Sequence, residues 1–364
     1  MKIKEILAVL EEMAPLAYAE TFDNVGLLVG NKEENCSGVL VCHDALERVI
    51  DEAIAKKCNL VVCFHPILFS GLKKIIGKNY VERSLIKAIK NDIAIYAVHT
   101  ALDNHKNGVN KIFCDALGLI NTKILIPKSN FIQKLITFTT PENAEKVRTA
   151  LFQAGAGTIG NYENCSFNSN GTGTYKGTGD SNPVIGARNE FVQADEIKIE
   201  VTFEKHLQRQ ILQALFENHI YEEVAYELYD LQNLHQNIGL GMIGELPEEM
   251  DEMEFLQLVK TKMKADGIRH STFLNKKIKK VAVLGGSGSE AISKAIQAGA
   301  DAFLTADLKY HQFYEAESQL LLADIGHFES ERYTKNYIVD YLTKKMPNFA
   351  IILSEENTNP VKYL

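Results

Sequence analysis

The sequence predicts an α/β protein: an open, mostly parallel sheet domain formed by both chain ends, with an inserted α+β domain of ferredoxin-like plan. Three observations carry this expectation. In the first third, apolar β-rich runs alternate with amphipathic helical patterns, the signature of a parallel sheet covered on both faces. The last third repeats that rhythm. The middle instead writes strand–helix–strand twice. A chain of 364 residues has room for about two domains. Its 46% hydrophobic and 24% charged residues are ordinary for a packed globular protein.

Taken in order, Gly38–Cys42 reads as a buried strand. Asp44 then predicts an N-cap, with Glu47 completing a capping box. Over Ala45–Lys56, Leu46, Val49, Ile50 and Ala53 share one helix face. Leu60–Cys63 and Ile93–Val98 are further strands, with Ser84–Lys90 helical between them. Phe131–Thr139 alternates as a strand, Thr140 caps a helix and Pro141 sits at its first position. Val147, Ala150, Leu151 and Ala154 line that helix, and Gly155 ends it. Asn164–Asn182, rich in Gly, Asn, Ser and Thr, reads as a mobile loop. Glu196–Phe203 is a strand, Lys205–Asn218 a helix with Leu207, Ile211, Leu212 and Leu215 on one side, and Val224–Leu231 a strand. The stretch Gln232–Gly244 returns the chain to the first domain. This places the insertion at 130–232, between 1–129 and 233–364. Strands follow at Ile278–Leu284, Ala302–Thr305, Leu320–Ile325 and Asn348–Leu353, with helices at Glu290–Ala298 and Ser330–Lys344.

The formal charge of −8 argues against nonspecific binding to nucleic acid or an anionic membrane. No apolar run approaches the roughly 18 residues of a membrane span. At the start of the chain, Glu11 and Glu12 break the apolar stretch too early for a signal peptide. A cytoplasmic location is expected. The six cysteines form no C-x-x-C pair and read as reduced, mostly buried thiols.

Four segments place histidines and carboxylates just past predicted strand ends, where ligand crevices form in open α/β sheets. They are Phe64-His65-Pro66, His99 to Asn104, Asp307 to His311, and His327 to Glu331. Pro66 keeps His65 extended; taken alone, His65 is as readily a satisfied core histidine as a ligand. His99 and Asp103 are four apart and would face the same way on a helical turn. Asp103 also reads as an N-cap for a helix starting near Gly108 or Val109. His327 and Glu331, at i and i+4, can grip one divalent ion or form a surface ion pair. Recurrence of these groups at strand ends favours the metal. Gly285 to Ala291 matches G-x-G-x-x-A between a strand and a helix. Glu290 sets a negative charge where a phosphate would sit, so a plain tight turn is the preferred reading. Absence of a Walker A and of G-x-S-x-G excludes P-loop and α/β-hydrolase chemistry.

Asp23-Asn24-Val25-Gly26-Leu27, the Phe-His-Pro at 64–66, His99-Thr100-Ala101-Leu102-Asp103-Asn104, the run from Ala306 to His311 and the run from Asp324 to Glu331 together resemble one family. This is the family of GTP cyclohydrolase 1 type 2 homologues, also called NGG-interacting-factor-like or dinuclear-metal-centre proteins. The resemblance covers nearly the whole chain. Phe131–Leu231 looks like the PII/CutA-like domain of longer members. The resemblance implies a toroidal homohexamer with two divalent ions per subunit, Zn, Fe or Mn. The implied metal ligands are His65, Asp103, His327 and Glu331, with Glu331 bridging. Phe64 departs from the pattern, since the family carries a second histidine there. One firm and one weak or empty metal position are therefore expected, with His99 or His43 as substitutes reaching across. The implied activity is metal-dependent hydrolysis of GTP or a related nucleotide by a metal-activated water, opening the guanine ring at C8 and releasing formate. His99 or His311 would be the general acid/base, oriented by Asp307. The alternative is a non-catalytic metal-binding or regulatory ring protein, trafficking metal or sensing a small-molecule ligand through the inserted domain. A ring that handles DNA would suit a toroid but conflicts with the charge of −8.

Overall fold

A computed structural model describes residues 1–364. The chain separates into two compact units, Met1–Ile126 with Asn237–Leu364, and Pro127–Gln236.

The unit built from both chain ends holds two sheets rather than the one expected. The first has the strand order Gly26–Val29, Ala94–Ala97, Leu60–His65, Val39–Asp44, Ile351–Leu353. All its pairings are parallel except that of Gly26–Val29. The second runs Arg269–His270, Leu321–Asp324, Ala302–Ala306, Lys277–Ser287, Gly239–Asp251, Ile120–Pro127. Only Lys277–Ser287, Ala302–Ala306 and Leu321–Asp324 are parallel to one another; Arg269–His270 and Gly239–Asp251 flank them antiparallel. Each set of parallel strands lies in its own sheet and does not extend into the other.

In the first sheet, alternate side chains serve opposite layers, as the two-residue strand period requires. Val39, Val41, Leu60, Val62, Phe64 and Tyr96 pack with Ile6 and Leu10 of the helix Ile3–Met13 and with Ile338 and Leu342 of Thr334–Lys345. Leu40, Cys42, Val61, Cys63 and Ile95 pack with Val49, Ile50 and Ala53 of Glu47–Ala55 and with Leu85 of Tyr80–Lys90. Each fully buried aliphatic or aromatic chain contributes about 1.5–3 kcal/mol. That double-sided burial makes the strand ends rigid platforms for the polar groups beyond them. Two helix expectations need correction. The helix after the Val39–Asp44 strand starts at Glu47 with Leu46 as its N-cap, so Asp44 caps nothing. The helix expected over Ser330–Lys344 is two, His327–Glu331 and Thr334–Lys345.

In the other unit the strand order is Phe167–Lys176, Phe191–Glu204, Ile132–Thr139, Tyr226–Leu231, all antiparallel. Helices Pro141–Gln153 and Gln208–Asn218 bury Val147, Leu151, Ile211 and Leu215 against Leu135, Ile199 and Val201 of the sheet. Strand–helix–strand–strand–helix–strand in this order is the ferredoxin-like plan. The mobile loop expected at Asn164–Asn182 is mostly strand: Phe167–Lys176 pairs along its whole length with Phe191–Glu200. It is an edge strand, largely exposed and held by backbone hydrogen bonds, so no apolar alternation marks it in the sequence. No helix of either unit is long and apolar enough to cross a membrane.

Candidate metal centre

The carboxyl ends of strands from both sheets of the larger unit deliver the polar residues. His43 and Asp44 end the Val39–Asp44 strand, and His65 ends Leu60–His65. The short helix His99–Asp103 follows Ala94–Ala97. From the second sheet, Asp307 follows Ala302–Ala306, and the helix His327–Glu331 follows Leu321–Asp324 through Gly326, whose φ is +94°.

His65 Nε2 and His327 Nε2 lie 3.3 Å apart, and each is 3.3 Å from Glu331 Oε2. The ligating atoms of these three residues fall within 4.8 Å of one another. The other ring nitrogens are engaged: His65 Nδ1 is 2.8 Å from Asp44 Oδ1, and His327 Nδ1 is 2.7 Å from Asp307 Oδ2. An Nδ1–H donated to a carboxylate leaves the Nε2 lone pair bare. Two such lone pairs and a carboxylate oxygen then face one small space, which is the donor set and outer-shell pattern of a divalent-cation site. Glu331 Oε2 is buried without a hydrogen bond, and so is Asp103 Oδ1. Orphaned acceptors of this kind are costly unless a cation or proton meets them. The donors present therefore fit a metal.

The electrostatics point the same way. Burial opposes charge on both rings, but the Glu331 carboxylate outweighs it and raises His65 to about 9 and His327 to about 11. Burial alone would raise Glu331; His327 and His65 hold it well below the ordinary carboxylate value. Burial, reinforced by Glu331, pushes Asp103 well above its ordinary value. Without a cation, protons on His65 and His327 occupy its place.

Of the four ligands the resemblance implies, His65, His327 and Glu331 come together. Asp103 ends its helix with Oδ1 buried and its charge opposed by that of Glu331, outside the tight group of three. It is not an N-cap, since Gly108 caps the following helix. His99 Nδ1–H donates to Asp23 Oδ1, 2.8 Å away, and its ring lies 5.3 Å from that of His65. Asp23 also accepts from the Thr100 backbone N–H and hydroxyl. Asp307 orients His327, not His99 or His311 as the sequence suggested. It does so from a left-handed backbone, φ +57°. His311 is exposed, with its ring against Tyr310 and Tyr314. Sequence reasoning missed Asp44 and Asp23 as partners of histidines. Asp44 hid behind its resemblance to a helix cap, yet it stands in register with His65 on the adjacent strand. Its carboxylate also accepts from the Thr358 hydroxyl, and Asn359 bonds Glu329, so the C-terminal segment is tied to the same region.

The glycine-rich turn serves this site rather than a phosphate. Gly285 N–H donates to Asn110 Oδ1 and Gly286 N–H to Ser330 Oγ. Gly286 has φ +70°, and a Cβ there would meet Glu331 Oε1 at 2.5 Å. The missing side chain is what lets the Glu331 carboxylate approach the strand.

The sequence model of the family described as Duf34/NIF3 (NGG1p interacting factor 3) matches residues 1–360. A Bacillus subtilis relative named "GTP cyclohydrolase 1 type 2 homolog" is 37% identical over 367 residues, covering 99% of this chain and 98% of the relative. A Staphylococcus epidermidis relative of the same name is 36% identical over 368 residues, covering 100% of both chains. Among solved structures, a Bacillus cereus protein related to NIF3 is 38% identical with a TM-score of 0.89, covering 100% of this chain and 99% of that one. A Staphylococcus aureus protein is 28% identical with a TM-score of 0.80 over the same shares of the two chains.

Proposed function

The chain belongs to the Duf34/NIF3 family, and from this premise and the converging donors we propose that it is a divalent-metal-binding hydrolase acting on GTP or a related nucleotide. The observation that carries the metal is the mutual 3.3 Å spacing of His65 Nε2, His327 Nε2 and Glu331 Oε2. His65, Asp103, His327 and Glu331 would hold Zn, Fe or Mn, which nitrogen and oxygen donors suit. When bound there, a divalent cation would lower the pKa of a coordinated water toward about 7 and so supply hydroxide near neutral pH. Asp44 and Asp307 fix the tautomers of His65 and His327. Of the two candidate bases, His99 is favoured over His311: Asp23 holds its Nδ1, leaving Nε2 to take and return a proton beside His65. Support for the nucleotide comes from the names of the relatives. The test is incubation of the metal-loaded chain with GTP. Formate release that disappears in His327→Ala is expected; equal absence of product from both proteins rejects the hydrolase.

One observation favours a second reading, a non-catalytic metal-binding or regulatory protein. The ferredoxin-like unit, which we read as PII/CutA-like, has a cavity of about 710 Å³ beside Tyr175, Glu196, Lys198 and Tyr221, a size that suits a small ligand. Thermal stabilisation by metals but by no nucleotide, without formate release, would support it. In either reading the chain is proposed to act as a ring of six, which light scattering of the purified protein tests.

A further inference from the structure

We propose that His43 is a third imidazole ligand of the centre, completing a metal position on the side of the first sheet where Phe64 stands; the inference rests on the metal-binding reading above. His43 Nε2 lies 3.3 Å from Glu331 Oε2, the same oxygen that His65 and His327 approach. The side chain is 3% exposed, and both ring nitrogens are cut off from solvent with no hydrogen-bond partner. A neutral imidazole has one donor and one acceptor nitrogen. Leaving such groups unmet inside a protein costs about 1–3 kcal/mol each. A cation at Nε2 removes the larger part of that cost, because it uses the lone pair that now faces only a carboxylate oxygen.

The register of the first sheet explains how the imidazole comes to be there. Cys42 pairs with Cys63 and Asp44 with His65. His43 therefore stands abreast of Phe64 on the adjacent parallel strand and on the same sheet face, with ring centroids 5.3 Å apart. The Phe64 ring is fully buried and has no donor atom. His43 brings to that face what Phe64 lacks. The ligating atoms of His43, Asp44 and His65 lie within 4.8 Å of one another, and so do those of His65, His327 and Glu331. The two groups share His65, so the space beside His43 adjoins the position between His65 and His327. The Glu331 carboxylate is met by imidazoles from three separate segments.

The experiment uses the full chain, stripped with chelator and reloaded with Zn²⁺. Direct titration is read as ions bound per chain and as affinity in competition with a coloured chelator. Wild type is compared with His43→Leu, which fills the buried space without a polar atom. The expected result is one fewer zinc per chain, or weakening of one site by at least about tenfold. An anomalous-difference map of the zinc-loaded wild type should show an ion at about 2.1 Å from His43 Nε2. Zinc bound at His65, His327 and Glu331 with His43 out of bonding distance overturns the inference and leaves the metal reading standing. Unchanged stoichiometry and affinity in His43→Leu does the same. A wild-type chain that takes up no zinc overturns both. If circular dichroism shows that His43→Leu does not fold, the wild-type map decides alone.

Discussion

His65 and His327 aim their Nε2 atoms at one another across 3.3 Å, although 262 positions separate them in the chain. Each is braced from behind by an aspartate, and Glu331 is the one carboxylate between them. Glu331→Gln keeps the size of that side chain and removes its charge. We expect metal affinity to fall by at least about tenfold, measured by competition with a chelator. Affinity equal to wild type would show that the ion does not depend on this carboxylate.

Proton release should accompany metal binding. In the metal-free chain His65 titrates at about 9, His327 at about 11, and Asp103 well above its ordinary value. At neutral pH both histidines carry protons, and a metal binds only their deprotonated forms. Below the pKa of each group, raising the pH removes the competitor, so affinity rises with pH between 6 and 9. The increase approaches about tenfold per pH unit for each proton displaced. Calorimetry in buffers of different ionisation enthalpy counts the protons; zero release at pH 7 contradicts the raised values.

Gly286→Ala tests whether the bare backbone at the Glu331 contact matters. The added carbon would lie 2.5 Å from Glu331 Oε1 and would hold a side chain at φ +70°. The expected loss is about 1–3 kcal/mol of unfolding free energy, together with lower metal content. Chemical denaturation and metal analysis on the same preparation measure both. Unchanged values in the two assays would mean that the carboxylate relaxes away without consequence.

Thiol reactivity separates the cysteines. Burial raises Cys36 to about 11 and Cys114 to about 12, and lifts Cys42, Cys58 and Cys63 as well. Only Cys165 is partly exposed. At pH 8 an aromatic disulfide reagent should label one thiol per folded chain, and all six after denaturation. Rapid labelling of Cys63 in the native protein would contradict the packing of the first sheet.

Much of this was legible in the residues. Buried strands announce themselves through apolar runs, and their ends carried the histidines and carboxylates as the four motifs indicated. His327 and Glu331 were readable because one helical turn puts them together. Two kinds of information were hidden. Asp44 has the residue type and spacing of a helix cap, and only the register with His65 shows its actual partner. The split into two sheets depends on which strands pair with which, and local periodicity does not encode that. The strand Phe167–Lys176 was invisible for a related reason: an edge strand exposed on both faces buries too little to impose a pattern. Asp307 was visible as an acid near a strand end, but its preference for His327 over the other histidines is a matter of three-dimensional arrangement alone.

The Ile351–Leu353 strand pairs in parallel with Val39–Val41, so one margin of the first sheet is completed only when a far later segment of the chain has been made. Until then one margin of that sheet stays open, and His43 and His65 await the helix bearing His327 and Glu331. A chain cut before His327 thus exposes an unpaired strand margin and leaves His43 and His65 with no Glu331 to meet.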